Sequence, residues 1–206
     1  MKAILLGSVG LLADTRNARR HAFARAFRDH GLKFDTDARD ALDQAASGSA
    51  ASPRAVPLES LLDARNHHLG AALAHGPLKP RRGLHQLIAA AAGAAVPLGL
   101  VATTPTAWTI SVFEHLELAP EVFDTIVTGD NLVASKPAAD CYHLAAAMLA
   151  TAPEDCLVIE DTPSGLAAAR QAGMQVIDAW EPGSGRKEPL TGLVQTLEQR
   201  AVTQPT

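Results

Sequence analysis

Four times between residues 84 and 178 a helix-length segment leads into a short apolar run, and this alternation limits the fold more than any other feature of the chain. Segments of helical character at about 84–92, 107–118, 138–149 and 164–172 precede Leu98–Thr103, Asp124–Thr128, Cys156–Asp161 and Gln175–Asp178. Short apolar runs bounded by turn residues suit strands buried on both faces, and strands separated by helical crossovers pair in parallel. One more such run opens the chain, Ala3-Ile4-Leu5-Leu6, closed by Gly7-Ser8-Val9-Gly10. The expected fold is therefore α/β, a doubly wound parallel sheet with helices on both faces.

Between that first strand and the rest lies an all-helical stretch. From about Arg16 to Gly31, Ala22, Phe23, Ala26 and Phe27 share one face, while the arginines lie largely elsewhere. Asp35 or Thr36 is placed to cap a second helix reaching Ala46, and Ser47 to Pro53 reads as a small-residue loop. A third helix is expected from Leu58 to about His75, ended by Gly76-Pro77. The organisation that follows is a core of residues 1–15 plus 82–206, interrupted by a helical cap at 16–81. A chain of 206 residues buries one substantial core with a smaller insert, not two full domains.

The net charge of −4 offers no basic footprint, which argues against nucleic acid or an acidic membrane surface as partner. Two cysteines, Cys141 and Cys156, suit a reducing compartment rather than a disulfide framework. The apolar opening is too short for a signal peptide, and no stretch is long enough to span a membrane. A soluble, cytoplasmic protein is expected; its oligomeric state is not legible. His68 and His75 fall on one helix face, but no third ligand at suitable spacing supports zinc.

Ligands of open parallel sheets bind beyond the carboxyl ends of the strands. The groups expected there are Gly7 to Gly10, Thr103 and Thr104, Lys136 in the loop Gly129–Pro137, and Glu160-Asp161. A lysine neutralises phosphate oxygens, a threonine hydroxyl donates to one, and paired carboxylates hold a hard cation such as magnesium. The backbone amides of Ser8 and Val9 would complete an anion-binding nest.

In order and spacing these residues resemble the β-phosphoglucomutase-like, or CbbY-like, branch of the haloacid dehalogenase superfamily. Thr103 matches its Ser/Thr motif. Gly129, Asp130, Lys136 and Pro137 match its Gly-Asp…Lys-Pro motif, and Glu160, Asp161, Thr162 and Gly165 match its Glu-Asp-Ser/Thr-x-x-Gly motif. Asp14-Thr15 matches the entry to the cap. The resemblance implies a phosphatase, hydrolase or phosphomutase with a small phosphorylated substrate. It also implies magnesium held by the first motif's aspartate, by the carbonyl two residues on, here Val9, and by Asp161 with Glu160 in support.

The first motif departs from the family. The positions of the covalent nucleophile and of the general acid/base are Gly7 and Val9, and neither side chain attacks phosphorus or moves a proton. Ser8 is expected to face away from the nucleophile position, since strand residues alternate, and Asp14 belongs to the hinge. On the cap, the positions of the family's substrate-facing Glu and His are Asn17 and Arg19. Arg54 stands where the family's later arginine would meet a distal phosphate. A final strand after Ile177 is not evident. Three functions remain open: a phosphate or phosphometabolite binder with little or no turnover, an active magnesium-dependent phosphatase of a sugar phosphate, and a non-catalytic interaction scaffold. With one anionic ligand lost, magnesium affinity on the order of millimolar at best is expected.

Overall fold

A computed structural model of the chain describes residues 1–33, 57–179 and 189–203. The chain divides into two compact units, Met1–Asp14 with Lys79–Thr206, and Thr15–Leu78.

In the first unit, β1 (Ala3–Leu6), β2 (Leu98–Val101), β3 (Thr125–Val127), β4 (Cys156–Glu160) and β5 (Gln175–Asp178) form one sheet in the order β3-β2-β1-β4-β5. Every pairing is parallel, so all five carboxyl ends lie along the same edge. The order reverses at β1, which sits between β2 and β4, with Leu6 in register with Leu100 on one side and Ile159 on the other. That reversal makes the end of β1 the topological switch point, where ligands of such sheets bind.

All residues of β1, β2 and β4 are buried, which explains their continuous apolar runs. Ala3 and Leu5 join a cluster with Val101, Val127, Val158, and residues of α5 (Asp140–Met148) and α6 (Pro163–Gln171). Ile4 and Leu6, equally buried, alternate to the opposite face. Three strands, β2, β3 and β4, are shorter than the runs that encode them. β3 is only three residues long, so the ladder available to β2 runs out at Val101 and leaves Thr103 and Thr104 in a loop.

The remaining helices of this unit are α3 (Leu84–Gly93), α4 (Thr106–His115) and α7 (Pro189–Thr203). α7 packs on α3, burying Leu190, Leu193, Val194 and Leu197. It is absent from the sequence reading, although these four residues keep the spacing of a helical face.

The second unit contains α1 (Arg16–Asp29) and α2 (Leu58–His75), which pack together through Ala22, Phe23, Ala26 and Phe27 of α1 and Leu61, Leu69 and Leu73 of α2. Arg65 lies over the Phe23 ring at 5.3 Å, and His68 pairs with Asp29 at 2.5 Å. The second cap helix, the loop Ser47 to Pro53 and Arg54 fall outside the described residues. No helix among the described residues is long and apolar enough to cross a membrane.

Candidate functional site

β1 delivers Gly7 to the switch point, where its N–H donates to Ile159 O of β4 at 2.8 Å. A single helical turn, Val9–Leu11, follows at once. Ser8 caps this turn by accepting from Gly10 N at 3.0 Å. Its hydroxyl also donates to Asp161 Oδ1 at 2.6 Å. The alternation that would turn Ser8 away from the site does not reach it, because β1 ends at Leu6 and the cap sets the conformation of Ser8. The N–H groups of Ser8 and Val9 carry no backbone partner among the described residues, as an anion nest requires. Val9 is buried and its side chain carries no polar group, so position 9 offers only backbone to a ligand.

Lys136 arrives from the loop after β3 and is nearly enclosed, its side chain only 5% exposed. Its ammonium meets four acceptors: Gly7 O at 2.5 Å, Val101 O at 3.0 Å, Tyr142 Oη at 3.1 Å and Glu160 Oε1 at 2.5 Å. The lysine therefore ties together the ends of β1, β2 and β4. Of its four acceptors only the Glu160 carboxylate carries the full charge that balances it.

Glu160 ends β4 with no exposed surface. Its Oε1 accepts from Lys136 and from Tyr142 Oη, the latter at 2.9 Å. Its Oε2 accepts from Asp161 N at 2.9 Å, Thr162 N at 3.0 Å and Thr162 Oγ1 at 2.9 Å. Those three donors stand at the start of α6, whose N-cap is Thr162, and a helix N-terminus favours a carboxylate. Two glycines make room for the side chain. A Cβ on Gly7 would lie 2.5 Å from Glu160 Cγ, Cδ and Oε1, and a Cβ on Gly165 would overlap the carboxylate.

Tyr142, on α5, carries no mark in the sequence beyond its place in a helical segment. Its role appears only when the fold sets it between Lys136 and Glu160. Burial, and then the neighbouring Glu160 charge, raise its phenol well above the usual value.

The two threonines after β2 separate. Thr104 bonds Thr109 on α4 at 3.2 Å, and its carbonyl accepts from Gly129 N at 2.8 Å, whereas Thr103 is exposed. Asp130 is taken up by α4, accepting from Thr106 N at 2.9 Å, and the Thr106 hydroxyl first and its N–H second hold the carboxyl below the usual range. Asn17 is exposed and Arg19 half-buried on α1. Cys141 and Cys156 are buried, and burial pushes both thiols up, away from reactivity.

Magnesium binds through several hard oxygen ligands. The Val9 carbonyl already accepts from Leu12 N and Ala13 N, each at 3.1 Å, and the Glu160 carboxylate is filled by five donors. Of the three expected ligands, Asp161 alone is partly exposed and held through one oxygen only. As arranged, this donor set does not make a magnesium site. Among the described residues no group of three or more His, Cys, Asp or Glu side chains is placed to hold a metal, His68 and His75 included.

A family model for haloacid dehalogenase-like hydrolases matches residues 3–173. The chain is 30% identical over 193 residues to Protein CbbY of Cereibacter sphaeroides, covering 86% of this chain and 83% of that one. It is 29% identical over 184 residues to validoxylamine A 7'-phosphate phosphatase of Streptomyces hygroscopicus subsp. limoneus, covering 84% and 83%. Among solved structures, CbbY from Rhodobacter sphaeroides in complex with phosphate superposes with a TM-score of 0.68 at 27% identity, covering 92% of this chain and 91% of that chain.

Proposed function

The chain belongs to the haloacid dehalogenase-like hydrolase family, and we propose that it binds phosphate or a small phosphorylated metabolite with little or no turnover. The observation that carries this reading is the end of β1. Position 7, at the switch point and against Lys136, has no side chain, and position 9 is a buried valine. Attack on phosphorus needs a nucleophile, and protonation of the leaving oxygen needs an acid. Neither group stands on this turn.

What remains suits binding. Lys136 supplies the charge, the amides of Ser8 and Val9 a nest, and Thr103 an exposed hydroxyl. Gly7 also removes a carboxylate that would repel the anion. A sugar phosphate is the favoured class, because the relatives include a fructose-1-phosphate phosphatase and a hexitol phosphatase, both of Escherichia coli.

A ligand that binds only the folded chain raises its stability, by about 2.7 kcal/mol at a hundred times the dissociation constant. Thermal unfolding with millimolar inorganic phosphate and a panel of sugar phosphates is expected to show a concentration-dependent rise in Tm. A flat response to the whole panel overturns the reading and leaves the interaction scaffold in its place.

A further inference from the structure

We infer that Glu160 is a built-in ligand of the Lys136 subsite: its carboxylate fills the room that position 7 leaves empty and competes with phosphate for the lysine. The inference rests on the phosphate reading and adds the group that limits affinity. Gly7 is the geometric warrant. Its backbone is not left-handed, so any residue fits its conformation, yet a single added carbon would lie 2.5 Å from three atoms of the Glu160 side chain. A side chain at position 7 and Glu160 in its present place exclude each other.

The second warrant is charge and saturation. An ammonium has three protons, and Lys136 already faces four acceptors. Two are main-chain carbonyls fixed by the sheet, and the third is a buried phenol. An incoming phosphate oxygen therefore has to take the place of Glu160 or bind beside its negative charge at a few ångströms, where like charges in a low-dielectric site repel strongly. The carboxylate is held from the other side by the start of α6, so it does not drift out of the way.

Titration calorimetry with inorganic phosphate, on the whole chain and three variants, tests this. Glu160→Gln keeps the shape and removes the charge. Gly7→Ala leaves Glu160 intact and forces it from its seat. Glu160→Gln with Lys136→Met removes the cation as well. Circular dichroism and urea unfolding identify the folded variants, and either of the first two suffices for the comparison. The expected result is at least about tenfold tighter phosphate in Glu160→Gln and in Gly7→Ala, as follows from lifting one nearby like charge, and loss of the gain when Lys136→Met is added. Equal affinity in the unmodified chain and both single variants overturns the inference while the phosphate reading stands. Absence of phosphate binding in every folded variant overturns both. A gain that survives Lys136→Met also overturns the inference, since the lysine would then not be what Glu160 occupies.

Discussion

Tyr142, Lys136 and Glu160 form a buried polar group whose members satisfy one another, and such groups are costly to break from one side only. Removing one partner of a buried ion pair costs about 3–5 kcal/mol, because the other charge is left uncompensated. Tyr142 gives this group a pH signature. Its phenol is pushed well above the ordinary range for tyrosine, through burial first and the Glu160 charge second. The unfolded tyrosine titrates near 10. Above that pH the folded chain keeps a proton that the unfolded chain gives up. Stability is therefore fully present below about pH 10 and falls as pH rises toward the folded pKa. Tyr142→Phe is expected to remove that alkaline component and to cost about 1.5–3 kcal/mol at neutral pH, since both lost hydrogen bonds are to charged partners. Urea midpoints of both proteins from pH 7 to 11 check this, and parallel alkaline slopes contradict it. Lys136, Glu160 and Asp161 were legible as strand-end residues in a phosphatase-like order. The convergence of Tyr142 was not, because a tyrosine within a helix has no sequence mark for the partner its hydroxyl meets. The seating of Glu160 against Gly7 was equally hidden, since it depends on the separation of two strands and not on either residue.

β1, β2 and β4 were readable because both faces of each are covered, so apolar residues run without a break. The carboxyl end of β2 was not readable, since β3 sets where its ladder stops, whereas its start at Leu98 was. α7 shows the opposite failure. Its helical spacing is present at Leu190, Leu193, Val194 and Leu197, but the family resemblance directs attention to a further strand after Ile177, whereas the next described element is this helix. The helix belongs to the core: Leu197 has no exposed surface. Leu197→Ala is expected to destabilise the fold by about 2–5 kcal/mol, the cost of an unfilled space in a packed interface. Chemical denaturation reads this directly, and a change below about 0.5 kcal/mol, typical of surface sites, would mean that α7 is dispensable.

The whole chain is a haloacid dehalogenase-like hydrolase by family, with Lys136 and Asp161 at the carboxyl edge of its sheet and glycine and valine at the turn after β1. Rebuilding that turn is not a matter of two carboxylates alone. In Gly7→Asp with Val9→Asp, Glu160 has to leave its seat, so the restored chain is expected to be less stable than the natural one. Gains in activity are expected to exceed the sum of the two single changes, because nucleophile and acid act as a unit. The most direct test of the account is the unmodified chain itself, purified and assayed for release of phosphate from a generic phosphomonoester and from sugar phosphates, with and without magnesium. Loss of a hydrolase nucleophile costs on the order of a million-fold in turnover, so the predicted rate is near background under both conditions. Hydrolysis at ordinary enzymatic rates that is lost in Asp161→Asn, and so belongs to this site, would contradict the account.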